Sequence, residues 1–232
     1  MLNYDYAEVT APFKNLVYRN ALASSADTAG FRLEGTANIT FPKGRMQLSS
    51  ALDPALGQAA NYVYWCDAEF PSDVLIEWDF TPLTQSGLCM MFFSAKNLGG
   101  GSVFDAAART GRYEQYHNGD INAFHVSYYR MNPIHNDGEK LRTCNLRKSK
   151  GFHMAAQGGD PIPELGLCKP PFRLSILKNG PLVAFYVEKI LSFAYHDDGT
   201  TFGPLLKGGN LGFRQMSPMV GEYANLSVFT LS

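Results

Sequence analysis

Apolar and polar residues alternate along most of this chain, in short runs separated by Gly, Pro, Asn and Asp. Val74, Ile76, Trp78 and Phe80 alternate with Leu75, Glu77 and Asp79, the period-2 pattern of a strand with one apolar face. Phe31 to Thr40 alternates as well, and a turn at Pro42 to Gly44 separates it from a short strand, Met46 to Leu48. Tyr62 to Trp65 is aromatic and β-branched, and Leu88 to Ala95 is apolar on both faces, which marks a central strand. Asn118-Gly119 and Asn179-Gly180 are two-residue turn signals. They predict one hairpin within Gly111 to Arg130 and another joining Phe172–Lys178 to Leu182–Val187. Lys140 to Lys148, Leu211 to Met216 and Tyr223 to Leu231 read as further strands, and Ser149 to Pro171 as a long loop. The only helix signal is weak, one or two turns after Pro54 within Asp53 to Tyr62. About a dozen strands with turns every ~8–12 residues predict an all-β fold, a two-sheet sandwich or jelly roll.

Composition narrows the class. The chain has 232 residues, of which 45% are hydrophobic, 13% aromatic and 18% charged. That apolar content supports a core and excludes disorder. All-β folds commonly reach ~200–250 residues as one domain, so the expectation is a single domain over residues 1–232. The net charge is −1, from 20 basic and 21 acidic residues. No basic excess is present to hold a polyanion, which argues against a nucleic-acid partner. No apolar run approaches the ~18 residues of a membrane span, so no membrane partner is expected. The N-terminus shows no basic and apolar leader pattern. Cys66, Cys89, Cys144 and Cys168 lie far apart with no CxxC spacing, so free thiols in a reducing cytoplasm are expected.

The order of segments carries a resemblance. Phe31–Thr40 with Met46–Leu48 precedes Trp65 and EFPSDVLIEWDF (69–80), and the chain closes on GNLGFRQMSPMVGEYANLSVFTL (209–231). This order is similar to the concanavalin A-like lectin/glucanase jelly roll. YEQYHNGDINAFHVSYYR (113–130) followed by CNLRKSKGFHMAAQGGDP (144–161) more narrowly resembles the YesU-like bacterial family, whose function is uncharacterised. The resemblance covers nearly the whole chain. It implies two antiparallel sheets, a last strand returning beside the first, and a concave groove that holds sugar.

Side chains alternate along a strand, so parity selects what faces that groove. Phe124, Val126 and Tyr128 read as core, which turns His125, Ser127 and Tyr129 outward. A two-residue turn at Asn118-Gly119 adds Arg112, Glu114 and Tyr116 to the His125 face. A three-residue turn adds Tyr113, Gln115 and His117 instead. On the next strand Cys144 and Leu146 read as buried, with Thr143, Asn145 and Arg147 outward. His153 and Gln157 follow at one end.

These residues define the candidate chemistry. Arg147 and Asn145, with Tyr116, Gln115, Arg130 and His153, are candidate substrate-binding residues, since Arg holds a carboxylate bidentately. His125, Tyr129, Glu114 and His117 are candidate acids and bases. Such a set suits a lyase that eliminates across a uronic acid sugar. Gln115-Tyr116-His117 is similar to the Gln-x-His element of jelly-roll alginate lyases. A glycoside hydrolase needs two carboxylates. Glu77-Trp78-Asp79 resembles the start of the glucanase Glu-x-Asp-x-x-Glu pattern, but position 82 is Pro, so the two acids read as a solvated face. Aromatic residues such as Tyr116, Tyr129 and Trp65 offer stacking surfaces for a sugar-binding domain without catalysis. Trp65 and Trp78 each read first as core. No metal-ligand spacing occurs. No cofactor is expected beyond a structural calcium that Asp197-Asp198-Gly199 would hold. The expected partner is an oligosaccharide, acidic if Arg147 forms a carboxylate pocket.

Overall fold

The computed structural model describes residues 4–105, 107–131, 142–167 and 169–232. The chain opens with a short helix, α1 (Tyr6–Thr10), then β1 (Phe13–Asn20), β2 (Arg32–Glu34), β3 (Ala37–Thr40), β4 (Met46–Ser50), β5 (Tyr62–Phe70), β6 (Val74–Pro82) and β7 (Gly87–Asn97). A helical turn, α2 (Glu114–His117), leads into β8 (Ile121–Met131). Next come β9 (Thr143–Ser149), β10 (His153–Gly159), β11 (Phe172–Asn179), β12 (Leu182–Val187), β13 (Ile190–His196), β14 (Gly209–Met216) and β15 (Val220–Leu231). One sheet runs β13-β12-β11-β6-β15-β4-β3, with β1 also on β15; the other runs β10-β9-β8-β7-β14-β5-β2. β15 does return antiparallel beside β1. The expected all-β, concanavalin A-like jelly roll of two antiparallel sheets is the observed fold.

The inner faces meet in one core. β6 contributes Val74, Ile76, Trp78 and Phe80, β7 contributes Cys89, Met91 and Phe93, and β8 contributes Phe124, Val126 and Tyr128. Each set is every second residue, as the alternation predicted. β7 lies between β8 and β14, the central position its two-sided apolarity required. The outer face of the first sheet buries Leu75, Leu177 and Tyr186 beneath Tyr6 and Val9 of α1. Glu77 and Asp79 lie on this same face. Glu77 accepts hydrogen bonds from Tyr6 and Ser175, and Asp79 pairs with Arg173 at 3.1 Å.

Several expectations need correction. Phe31 to Thr40 is two strands in different sheets, broken at Gly35. That residue has φ +92, and a Cβ there would lie 2.6 Å from the Asn61 carbonyl. The Ser149–Pro171 loop contains an edge strand, β10. The predicted hairpin at Asn118-Gly119 does not form. Residues 114–117 coil into α2, and Asn118 donates its N–H to the Glu114 carbonyl at 2.9 Å. Asn118-Gly119 ends that turn, a role Asn and Gly also suit. Tyr116 is fully buried against Trp65 and Phe92, which a strand edge would not allow. The Asn179-Gly180 hairpin is as expected, with Asn179 opposite Leu182.

Cys66, Cys89 and Cys144 are free and buried, and Cys168 lies outside the described residues, as does the start of the predicted Lys140–Lys148 strand. Asp197 pairs with buried Lys148 at 2.7 Å, while Asp198 caps the N–H groups of Thr200 and Thr201. No group of three or more His, Cys, Asp or Glu poised to hold a metal occurs among the described residues.

Candidate functional site

The outer face of the second sheet has two halves. Over β14 and β5, the segment that includes α2 covers the sheet and buries Val63, Trp65, Phe92, Val103 and Tyr116. Trp65 lies flat on Gly212, where a Cβ would meet the indole at 2.5 Å. Over β7, β8 and β9 the face stays open and forms a groove of about 510 Å³. Its floor is read off the strand register. Arg147 stands opposite His125, which stands opposite Phe92; one step along, Asn145 stands opposite Ser127, and Ser127 opposite Met90. Tyr113 and Phe152 form one wall, and the 3-10 turn around Gln58 forms another with Ser217 and Pro218.

The groove is cationic. Arg130 and Arg147 line it, and its described lining contains no Asp or Glu. Arg147 is held in place: its Nη1 donates to the Phe152 carbonyl at 3.0 Å, and its guanidinium lies 3.6 Å from the Phe152 ring centroid. Phe152 itself is 49% exposed, with the His117 ring 4.7 Å and the Tyr113 ring 5.6 Å from its own. Gln157 donates to the Asn145 side chain at 2.8 Å and fixes its amide.

The wall carries a polar pair, a half-buried Tyr113 and a buried His125. The Tyr113 hydroxyl and His125 Nε2 are 2.7 Å apart. His125 is 1% exposed. Burial, reinforced by Arg147, Arg214 and His117, lowers its pKa to about 3, so the imidazole is neutral. Burial raises the Tyr113 phenol to about 12, against the pull of the nearby arginines. Arg214 is fully buried beneath both Tyr113 and Tyr116, 5.1 Å from each ring centroid, and its Nη1 donates to the Gly111 carbonyl at 2.7 Å. Its Nε and Nη2 have no hydrogen-bond partner among the described residues.

The structure brings some of the expected site residues together and separates others. His125, Ser127, Asn145, Arg147 and Arg130 gather at or beside the groove. Tyr113 and His117 do join His125, but as residues i and i+4 of a helical turn rather than alternate residues of a strand. Tyr129 does not face the groove. It adopts φ +48 and turns into the core against Phe80. Tyr116 is buried and donates to Glu34 at 2.8 Å, so it offers no stacking surface. Glu114 is exposed on the outside of α2 and is not part of the groove lining. Gln115 is committed to Thr110, whose N–H it accepts at 2.8 Å. His153 stacks on Phe202 at 4.8 Å, outside the groove. Trp65 and Trp78 are both fully buried. Sequence reasoning missed Arg214 and Phe152. Parity from Leu211 and Phe213 places Arg214 on the outer face with Gly212, a signal that was present but unused.

The whole chain has close relatives. It is 42% identical over 214 residues to YesU of Bacillus subtilis (strain 168), covering 91% of this chain and 94% of that protein. A crystal structure of a protein of unknown function with a galectin-like fold from Bacillus subtilis matches with a TM-score of 0.88 at 40% identity, covering 94% of this chain and 97% of that one. Carbohydrate proteins share the fold at much lower identity. The carbohydrate-binding module CBM66 from Bacillus subtilis matches with a TM-score of 0.55 at 16% identity, over 87% of this chain and 96% of the module. The kappa-carrageenase from Pseudoalteromonas carrageenovora matches with a TM-score of 0.59 at 10%, over 94% and 95%. The model of one family, described as a domain of unknown function (DUF1961), matches residues 15–228, and the chain belongs to that family.

Proposed function

We propose that the groove binds an acidic oligosaccharide and cleaves it by β-elimination at a uronic acid residue. The observation that carries the reading is the groove's charge: Arg130 and Arg147 line it with Asn145, Ser127 and Gln58, and no carboxylate stands among its described lining residues. A guanidinium prefers a planar anion and binds it bidentately. Phe152, backed by Arg147 and about half exposed, offers apolar surface for the C–H edge of a sugar ring. Hydrolysis needs two carboxylates flanking the bond, and the groove lining favours elimination over it. Structures with the same fold include a carbohydrate-binding module and a carrageenase, which supports a sugar as the ligand class.

Elimination assigns a role to the Tyr113–His125 pair. Arg147 and Asn145 hold the carboxylate and favour loss of the proton on the adjacent ring carbon. The Tyr113 oxygen takes that proton as its own passes to His125 Nε2. The C–H electron pair becomes the new ring double bond, and the glycosidic C–O bond breaks. The proton then returns through Tyr113 to the departing oxygen, so the net reaction is cleavage into two sugars, one unsaturated. Burial is the main cause of the low His125 pKa; a carboxylate docked on Arg147 offsets the positive charge that adds to it and brings the imidazole nearer to accepting a proton.

A second reading is binding without turnover. Its specific support is the low proton affinity of His125, whose pKa is about 3. Incubation with an oligogalacturonate separates the two. Elimination yields products that absorb as unsaturated uronates, and Tyr113→Phe abolishes them while the affinity stays within a few fold. Affinity without any product from the unaltered protein leaves the binding reading, and full turnover in Tyr113→Phe removes Tyr113 from the chemistry.

A further inference from the structure

Arg130 reaches the groove only because β8 breaks its own alternation. From Phe124 to Tyr128 the strand is regular, and continued parity would send Tyr129 outward and Arg130 into the core. Instead, the register between β7 and β8 slips: Tyr128 faces Cys89 and Met131 faces Gly87, three steps on one strand against two on the other. This is a β-bulge, one extra residue in β8. Tyr129 sits at its centre with φ +48, a region a bulky residue enters only when its surroundings hold it there. The consequence is a swap of faces: the Tyr129 ring packs on Phe80 in the core, and Arg130 lines the groove.

One side chain clasps this bulge. The pairing of β8 with β9 ends at Ser127 opposite Asn145, so the Tyr129 N–H has left the ladder. It donates to Asp160 Oδ2 at 2.9 Å. The other oxygen of the same carboxylate accepts the N–H of Ile162 at 3.0 Å, which anchors Asp160 to its own loop. The Asp160 backbone N–H donates to the Arg142 carbonyl at 3.0 Å, tying that loop to the start of β9. Asp160 thus joins the chain beyond β10 to the irregular step in β8.

We infer that Asp160 is a positioning residue for ligand selectivity: by holding the bulge at Tyr129 it presents Arg130 to the groove as the second guanidinium beside Arg147. The inference rests on the acidic-ligand reading only for what Arg130 binds; the placement of Arg130 stands apart from it. Arg147 is fixed by Phe152, so the selectivity of the pair depends on where Arg130 is held.

Two measurements test this. The first needs no ligand. New thiols are introduced by Arg130→Cys and by Tyr129→Cys, each with Cys168→Ser so that the remaining native thiols Cys66, Cys89 and Cys144 are buried, and their maleimide labelling rates are compared. Position 130 is expected to label much faster than position 129. Adding Asp160→Ala is expected to shrink that ratio at least tenfold; Asp160→Leu, of similar size but with no acceptor, replaces it if the alanine protein does not fold. An unchanged ratio overturns the inference. The second compares affinity for an oligogalacturonate with affinity for a neutral galacto-oligosaccharide of equal length. Arg130→Gln and Asp160→Ala should each weaken the acidic ligand at least tenfold and the neutral one less than twofold, and the double variant should lose no more than Arg130→Gln alone. Equal losses on both ligands, or losses that multiply in the double variant, contradict it. If the unaltered protein binds neither sugar, the proposed function fails while the labelling ratio still decides the role of Asp160.

Discussion

His125 gives the site a pH signature that can be calculated. In the unfolded chain an imidazole titrates near 6.5, whereas burial beside Arg147, Arg214 and His117 lowers it to about 3 in the folded protein. Between these values the unfolded chain binds a proton that the folded protein refuses, so acid favours unfolding. Stability is unaffected above the unfolded value and falls as pH drops below it. The slope is about 1.4 kcal/mol per pH unit, so from pH ~7.5 to ~4.5 this one residue removes roughly 2.5 kcal/mol. At 1% exposure little solvent screening discounts the effect. Other groups titrate over the same range, so the assay is a difference. Urea unfolding of the parent and of His125→Gln is measured across that interval and the two stability curves are subtracted. The difference should shift by roughly 2.5 kcal/mol in favour of the variant at the acid end. A difference that stays flat refutes the buried neutral histidine, and with it the electrostatic picture of the wall behind the groove.

Two further substitutions probe the frame of the site. Gly212→Ala places a methyl 2.5 Å from the fully buried Trp65 indole. Overpacking of this kind costs ~1–3 kcal/mol, and urea midpoints that do not move would show that the indole is not seated there. Asp197→Ala leaves the Lys148 ammonium, 1% exposed, with the Gly203 carbonyl as its remaining hydrogen-bond acceptor among the described residues. Breaking a buried pair from one side costs ~3–5 kcal/mol, so thermal unfolding should reveal a large drop; a loss below ~1 kcal/mol would mean that water already reaches the pair.

The fold was legible where strands are central and the site was legible only in part. β6 and β8 as far as Tyr128 alternate because one face of each meets the core, and β7 shows its central place by being apolar on both faces. β1, β10 and β13 were not read as strands. Each lies at a sheet edge, and β1 is exposed at most positions, so no apolar period marks it. At the site, parity alone placed His125, Ser127, Asn145 and Arg147 on one face. It failed at Tyr129, where the bulge exchanges the two faces, because the cause is Asp160, thirty-one residues away in sequence. It failed again at Asn118-Gly119, a dipeptide that serves a hairpin and a helix end equally well. Burial of Tyr116 against Trp65 decided for the helix, and that contact joins residues far apart in the chain. Local pattern specifies a strand's two faces; long-range contacts decide where the strand departs from them.

The central claim, an acid-selective sugar groove built around Arg147, is tested most directly by calorimetric titration. The parent protein and Arg147→Gln are each titrated with an oligogalacturonate and with its neutral counterpart, at low and at high salt. The groove charge predicts binding of the acidic sugar that weakens with salt and falls at least tenfold in Arg147→Gln, a change of about 1.4 kcal/mol or more. Binding of the neutral sugar with equal or greater affinity, or acidic binding indifferent to both salt and Arg147, would contradict it.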